Sequence, residues 1–268
     1  MLDHRSLQPS ALSSYQGILI VTHQDPDLDA IGSCLALHFY LESLSIPHTI
    51  SVLDSLAPSL SFLPDIHCIH NSFPDLTSID TLIVLDCSDI SRVKGYEALD
   101  LAQFNTVINI DHHPDNTLFG TVNIMEPLSS VGEMLYHLFR SLNWKISSSA
   151  ATALYAAIIF DTGRFLFSNV TSETLSAASE LVSSGADSYS ISQQLYETKS
   201  KDTFDLIQYA LKNLIVSEDY GYAYTSLPSS MAQIDYKVID LIRQLGGPEI
   251  FFVAQELDSS KVKINLRS

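Results

Sequence analysis

Three short apolar runs, each followed by a polar residue and broken only by Asn109 in the third, constrain the fold of this chain more than any other feature. They span residues 18–21, 82–85 and 107–110 and are rich in β-branched side chains, which favour strands. Runs that are apolar at every position are typical of strands buried on both faces of a parallel sheet. Segments with helical spacing, such as 30–44, lie between them. We therefore predict an α/β fold in which helices flank a parallel sheet.

The later part of the chain has a different pattern. The stretch from Gly185 to about Thr203 is polar and poor in branched apolar residues, which indicates a domain boundary. We predict a first domain at 1–185, a linker at 186–203 and a smaller α+β domain at 204–268. The elements predicted beyond the linker are a helix near 203–211, a hairpin around 217–219, a helix at 236–245 and strands at 250–256 and 262–266.

The charge of the chain limits its partners. It carries 31 acidic and 14 basic residues, a formal net charge of −17 at pH 7, and this field repels the backbone of long duplex nucleic acid. A short anionic substrate stays compatible if bound cations invert the potential in one cleft. No apolar stretch approaches the ~18 residues of a membrane span, and no signal-peptide pattern begins the sequence. We expect a cytoplasmic protein with no membrane partner.

A first group of reactive side chains directly follows the first apolar run. His23, Asp25, Asp27 and Asp29 stand within seven residues. Ligands bind at the carboxyl ends of parallel strands, and carboxylates this close repel one another unless cations lie among them. A local interpretation stays open, in which Asp29 is the N-cap of a helix that begins at the next residue and the Asp-Pro-Asp segment is a turn.

The second and third apolar runs also end in acidic or imidazole side chains. Asp86 follows the second run, and Asp111, His112 and His113 follow the third. Taken alone, Asp86 is compatible with a helix cap and the histidine pair with a solvated loop. Because parallel strands end at one edge of a sheet, the three runs together indicate side chains that converge on a metal site.

A further acidic residue, Asp161, stands after a predicted helix at 150–159. A carboxylate there faces the negative end of the helix dipole, which is unfavourable unless a cation compensates. The alternative is that Asp161 caps the following turn together with Gly163. The candidate metal ligands are therefore His23, Asp27, Asp29, Asp86, His112 and Asp161.

The donor types indicate the ions and the reaction. Oxygen donors with two imidazoles and no thiolate suit Mn²⁺, with Mg²⁺, Co²⁺ or Zn²⁺ as substitutes. Six ligands exceed the needs of one tetrahedral ion and suit two ions about 3.5 to 4 Å apart, bridged by a carboxylate and a hydroxide. Such a pair lowers the pKa of the bridging water and holds phosphoryl oxygens. We predict two Mn²⁺ ions and hydrolysis of a phosphate ester or anhydride.

These motifs resemble those of the DHH superfamily of phosphoesterases, named for the triplet that stands here as Asp111-His112-His113. Four motifs follow in the family's order across about residues 15–185: His23-x-x-Pro26-Asp27-x-Asp29-Ala30, Asp86, the triplet, and Asp161. Within the superfamily the chain most resembles the DHH/DHHA1 nano-RNase group, to which the stretch 161–169, followed by Thr171 and Glu173, is similar. Members of that group degrade very short oligoribonucleotides and often dephosphorylate 3'-phosphoadenosine 5'-phosphate. The resemblance implies a parallel-sheet DHH domain followed by a smaller DHHA1 domain.

The resemblance also implies residue roles. His113 resembles the residue that contacts the scissile phosphate, and Asp111 resembles a group that orients a histidine. Arg164 is a candidate catalytic or anion-binding side chain, or faces solvent, and Arg267 marks the start of the expected substrate surface. The ligands divide between two ions, with His23 and Asp27 on one, Asp29 and His112 on the other, and Asp86 and Asp161 bridging or shared.

One feature departs from the family's pattern. Members with a DHHA1 domain carry a Gly-Gly-Gly-His loop after a strand that ends much like 261–268, where this sequence ends. The pair Gly246-Gly247 is followed by Pro248 and is no substitute. We expect either a fragment or an incomplete substrate-selecting half, in which the metal chemistry survives while affinity and substrate choice are lost.

The function predicted from the sequence is that of a Mn²⁺-dependent phosphodiesterase or phosphatase acting on short 5'-phosphorylated oligoribonucleotides and 3'-phosphoadenosine 5'-phosphate. Two alternatives stay open. One is a phosphodiesterase for linear or cyclic dinucleotides, or a pyrophosphatase, of the same superfamily. The other is a metal-binding module that is inactive without the glycine-rich loop. The expected partner is a short oligonucleotide or nucleotide phosphate, and a homodimer is compatible with the sequence.

Overall fold

The computed structural model describes residues 5–197, 199–234, 236, 238–258 and 260–268. The chain separates into two compact units, one that ends at Leu195 and one that runs from Tyr196 to Ser268. This division falls inside the segment 186–203, which also contains the helix α6 (Ser188–Tyr196). The predicted α/β class with a second, smaller domain is confirmed.

The first unit is built on a parallel sheet. Its strands are β1 (Ile18–Thr22), β2 (His48–Ser51), β3 (Ile69–His70), β4 (Thr81–Leu85), β5 (Thr106–Asp111) and β6 (Val122–Met125). Among the described residues these form a six-stranded sheet in the order β3-β2-β1-β4-β5-β6, and adjacent strands pair in parallel.

The register of the central strands brings their carboxyl ends together. Thr22 of β1 lies beside Leu85 of β4, and Leu85 lies beside Ile110 of β5. Every residue of β1 and β4 is buried, as their continuous apolar sequence predicts. The residues that follow these strands therefore leave the sheet along one edge.

Helices cover this sheet and also supply ligand candidates. The helices of the first unit other than α6 are α1 (Pro9–Leu12), α2 (Leu28–Ser43), α3 (Val131–Ser141), α4 (Ser148–Asp161) and α5 (Ser172–Ser183). The helix α2 packs against β1 and β4, and it also contacts α3 and α4. No described helix is long and apolar enough to cross a membrane.

The start of α2 is fixed by a carboxylate cap. Asp27 accepts hydrogen bonds from the backbone N–H groups of Asp29 and Ala30 at 3.1 and 3.2 Å. It therefore satisfies two of the amide groups that a helix leaves unpaired at its start. The alternative interpretation, that Asp29 caps a helix beginning at the next residue, is wrong, because Asp27 is the cap and Asp29 lies inside the first turn.

A glycine allows α2 and α4 to approach closely. A Cβ atom added to Gly32 would lie 2.6 Å from the carbonyl oxygen of Ala153 and 3.2 Å from the Cβ of Ala157. The first turn of α2 carries Asp29 and the last turn of α4 carries Asp161. The close contact therefore sets the distance between two elements that carry candidate ligands.

The second unit is a smaller α+β structure. Its elements are α7 (Lys201–Lys212), β7 (Ile215–Ser217), β8 (Tyr222–Leu227), α8 (Val238–Ile242), β9 (Ile250–Asp258) and β10 (Lys261–Arg267). Among the described residues the sheet has the order β10-β9-β8-β7. The strands β7 and β8 form the predicted hairpin, and β8 and β9 are parallel. The helix α8 is shorter than the predicted 236–245, and Lys237 lies outside the described residues.

We expect the substitution Gly32→Val to lower the free energy of unfolding by about 3 kcal/mol, because the new side chain would meet the backbone of α4 and force the helices apart. Urea unfolding measures this change. Gly246→Val is the matched control, since a Cβ there has no neighbour within 4 Å in the part of the chain that the structure describes. We expect this control to change the stability by less than about 0.5 kcal/mol. Equal stability of the two variants would contradict the close packing.

Candidate metal centre

The structure brings the six candidate ligands into two groups of three. In each group, the ligand atoms offered by the side chains all lie within 4.8 Å of one another. Cluster A consists of His23, Asp27 and Asp86. Cluster B consists of Asp29, His112 and Asp161. Their roles as metal ligands stay a prediction.

Cluster A forms where β1 and β4 end. His23 directly follows β1 and Asp86 directly follows β4, so the parallel register places them side by side. The distance from His23 Nε2 to Asp86 Oδ2 is 3.5 Å. Asp27, the cap of α2, completes the group. Burial raises the pKa of Asp27, and the negative charges of Asp86 and Asp161 raise it further.

Cluster B joins a strand end to two helix ends. His112 follows β5, and its Nε2 lies 3.3 Å from Oδ2 of Asp161, the last residue of α4. Asp29 lies in the first turn of α2 and is fully buried. Burial raises the pKa of Asp29 well above its usual range, and the charges of Asp86 and Asp161 add to this effect. Both clusters thus bring carboxyl groups together at buried or partly buried positions.

Asp86 lies between the two clusters. Its Oδ2 faces His23, while its Oδ1 lies 3.7 Å from Nε2 of His112. The backbone of Asp86 is left-handed, with a φ of 54°, and its N–H donates to the carbonyl of Ile110 at 3.0 Å. A carboxylate whose two oxygens face different groups of ligands has the arrangement needed to bridge two cations.

Backbone carbonyls orient both histidines. Nδ1 of His23 donates to the carbonyl of Gln24 at 2.7 Å, and Nδ1 of His112 donates to that of Leu128 at 3.1 Å. Because a carbonyl oxygen can only accept, each Nδ1 carries a proton. In a neutral ring, the lone pair then belongs to the Nε2 that faces the carboxylates. Histidines that bind metals in proteins usually have this arrangement.

Two buried polar atoms at the middle of the site have no hydrogen-bond partner among the described residues. They are Oδ1 of Asp86 and Nε2 of His112. Such burial costs about 1–3 kcal/mol per group. Burial lowers the pKa of His112, but the adjacent carboxylate of Asp161 and the charges of Asp29 and Asp86 outweigh it and raise the pKa to about 10. Divalent cations would engage both atoms and balance the carboxylates, so these residues fit such ions.

The N-terminus of α3 holds Asp29 in place. The backbone N–H groups of Val131 and Gly132 donate to its two oxygens at 2.8 and 2.9 Å. A helix N-terminus favours a negative charge, so these bonds offset part of the cost of burying the carboxylate. Oδ1 also accepts from the hydroxyl of Ser33 at 3.3 Å, whereas Oδ2 keeps a further lone pair for a cation. The contact between α3 and Asp29 joins residues about a hundred positions apart and gives no recognisable signal in the sequence.

His113 is positioned by a chain of polar side chains. Its Nδ1 donates to Oδ1 of Asp111 at 2.7 Å, and Asn116 donates to Oδ2 of Asp111 at 2.6 Å and to Oδ1 of Asn109 at 2.8 Å. The hydrogen bond with Asp111 raises the pKa of His113 and favours its cationic form. Asn116 gives no signal of this role in the sequence, because an asparagine after Pro and Asp is typical of an ordinary turn.

The two arginines predicted to contact substrate lie on different units. Arg164 is exposed in the turn that follows α4, and its backbone is left-handed with a φ of 66°. Arg267 is the exposed last residue of β10 in the second unit. The substrate roles of both side chains stay predictions.

Comparison with curated proteins identifies close sequence relatives. The bifunctional oligoribonuclease and PAP phosphatase NrnA of Bacillus subtilis is 33% identical over 212 residues, a match that covers 78% of this chain and 66% of the relative. The protein of the same name from Thermus thermophilus is 35% identical over 181 residues, covering 67% of this chain and 54% of the relative. The chain therefore matches less than two thirds of the length of either relative.

Solved structures and protein families also include matches to this chain. The crystal structure of an exopolyphosphatase-related protein from Bacteroides fragilis superimposes with a TM-score of 0.89 and 27% identity, covering 96% of this chain and 80% of the other. Residues 17–158 match the DHH family, N-terminal domain. This match spans more than half of the sequence and includes all of cluster A. The chain therefore belongs to the DHH family, as its four spaced motifs predict.

Proposed function

We propose that this protein is a phosphoesterase that uses two divalent ions, with Mn²⁺ preferred, to hydrolyse short 5'-phosphorylated oligoribonucleotides and 3'-phosphoadenosine 5'-phosphate. The proposal rests on the position of Asp86. Its carboxylate faces both clusters, and its Oδ1 is buried without a hydrogen-bond partner among the described residues. The names of the relatives, oligoribonuclease and PAP phosphatase, support the choice of substrates.

The side chains divide the work of binding two ions. Such ions, when bound, lower the pKa of a water molecule and neutralise charge on phosphoryl oxygens. His23 and Asp27 hold one side of the site, and cluster B holds the other. Asp86 joins the two sides, because its two oxygens face different clusters. The hydrogen bonds from Nδ1 of His23 and His112 to backbone carbonyls keep each Nε2 directed at the site.

His113 stabilises the charge that develops on the substrate. Its Nδ1 is occupied by Asp111, which leaves Nε2 to donate to a non-bridging oxygen of the scissile phosphate. The hydrogen bond with Asp111 raises the pKa of His113 and so favours the protonated form, in which Nε2 is a donor. Asn116 donates to the other oxygen of Asp111 and thereby limits rotation of the Asp111 and His113 side chains.

The net charge of the chain favours a short substrate. An acidic surface repels a long phosphate backbone, whose many charges could not all be compensated by one metal centre. A dinucleotide or a nucleoside bisphosphate carries few charges and can be neutralised at the site itself. We therefore propose that the protein does not bind or hydrolyse long duplex nucleic acid.

The proposed function predicts mononucleotide release from a 5'-phosphorylated diadenylate when the protein is supplied with Mn²⁺. The reaction should stop on addition of EDTA and return when excess Mn²⁺ is restored. Chromatographic separation of mono- and dinucleotide measures it, and a duplex of about two helical turns serves as the control that should stay intact. Failure to release mononucleotide with Mn²⁺, Mg²⁺, Co²⁺ or Zn²⁺ would refute the proposal.

A pair of substitutions separates metal binding from phosphate contact. We expect His113→Gln to lower kcat by about 10²–10³-fold, the effect of removing one donor to a developing oxyanion. The rise in Tm caused by Mn²⁺ should persist in this variant, since His113 contacts substrate in our assignment. Asp86→Asn should lose both the activity and the Mn²⁺-dependent rise.

Thermal unfolding with and without Mn²⁺ gives the second readout. His113 lies near Asp86 and His112, with its Nδ1 3.6 Å from Asp86 Oδ1, so a role as a metal ligand is the competing assignment. Loss of the Mn²⁺-dependent rise in Tm in His113→Gln would favour that competing role.

A further inference from the structure

A third group of ligand side chains lies in the first unit, outside clusters A and B. Its members are His38, Glu42 and His48, whose ligand atoms all lie within 4.8 Å of one another. We propose that this group, cluster C, is a zinc-binding site that is separate from the catalytic ions. The proposal rests on the geometry of these three side chains and is independent of the proposed function.

Cluster C is distant from the catalytic site along α2. His38 follows Asp29 by nine positions on this helix, a separation of about 13 Å along the helix axis. His38 and Glu42 are one turn apart, so their side chains lie on one face of the helix. His48 is the first residue of β2. An ion held by all three would connect the end of α2 to the sheet.

The orientation of His48 repeats that of the histidines in clusters A and B. Its Nδ1 donates to the carbonyl of Ile46 at 2.7 Å, so this nitrogen carries the proton. The lone pair of Nε2 is then directed at Nδ1 of His38, only 2.7 Å away. A ring fixed by a backbone carbonyl, with its other nitrogen facing further ligands, is the usual arrangement in zinc sites.

The pair of imidazoles is suited to exchange a proton for an ion. Two nitrogens 2.7 Å apart can share one proton. Zinc–nitrogen bonds of about 2.0–2.1 Å in tetrahedral geometry place two such nitrogens about 3.3 Å apart. Zinc therefore requires the rings to separate by about 0.6 Å and replaces the shared proton.

Glu42 supplies the negative charge of the group. It lies in the last turn of α2, where the helix dipole makes a carboxylate unfavourable unless a cation is near. The exposed Asp65 adds to the negative potential at His38. Two imidazoles and one carboxylate form a known set of protein ligands for zinc, with the fourth position left to water. A surface cleft of about 380 Å³ is lined by Glu42 and His48 and provides access.

Equilibrium dialysis of the full chain against a range of free Zn²⁺ concentrations tests the proposal. We expect His48→Gln and Glu42→Gln to weaken one zinc site by at least about 10-fold. His70→Gln, which removes an exposed histidine outside the group, is the matched control and should bind as the wild type does. Glu42 is exposed, so its variant should fold normally. Unchanged zinc binding in both cluster C variants would overturn the proposal.

A second comparison assigns the affected zinc to cluster C and not to clusters A and B. The effect of His48→Gln on zinc binding should be the same in the wild type and in an Asp86→Asn background. If the site weakened by His48→Gln is one already weakened by Asp86→Asn, the assignment to cluster C is wrong. In zinc-free buffer, Mn²⁺ should raise the Tm of His48→Gln by as much as it raises that of the wild type. This result is expected whether or not the protein hydrolyses phosphoesters.

Discussion

Repulsion among carboxylates at one edge of the sheet is the constraint on which the metal centre depends. Asp27, Asp29, Asp86 and Asp161 act on one another at short range, and two of them, Asp29 and Asp86, are buried. Helix N-termini relieve part of this repulsion, that of α2 at Asp27 and that of α3 at Asp29. Oδ1 of Asp86 accepts no hydrogen bond from any described residue, so the need for positive charge is concentrated there.

The fold could be predicted where burial is complete and not where it is partial. The strands β1, β4 and β5 were found because both faces are covered and their sequence is apolar at nearly every position. The strands β2, β3 and β6 were missed, because they are short and partly exposed, and their mixed sequence has no clear period. Their pairing is decided by the sheet beside them.

The candidate site shows the same limit. The clusters could be predicted because each ligand candidate lies just after a recognisable strand or at an end of a recognisable helix, and parallel strands end together. Three features could not be predicted, because each depends on contacts between distant segments: the support of Asp29 by α3, the link from Asn116 to Asp111, and the pairing of His38 with His48. In the sequence, His38 is simply one residue on a largely apolar helix face.

The left-handed backbone at residue 86 restricts which amino acids the position can accept. Asparagine adopts this conformation readily but brings no negative charge, while glutamate brings the charge on a longer side chain that favours the conformation less. β-Branched residues are excluded on both counts. Aspartate alone fits both the left-handed backbone and the need for a negative charge. Amino-acid substitutions should therefore be far rarer at this position during evolution than in the buried strand that precedes it, where valine, isoleucine and leucine can replace one another.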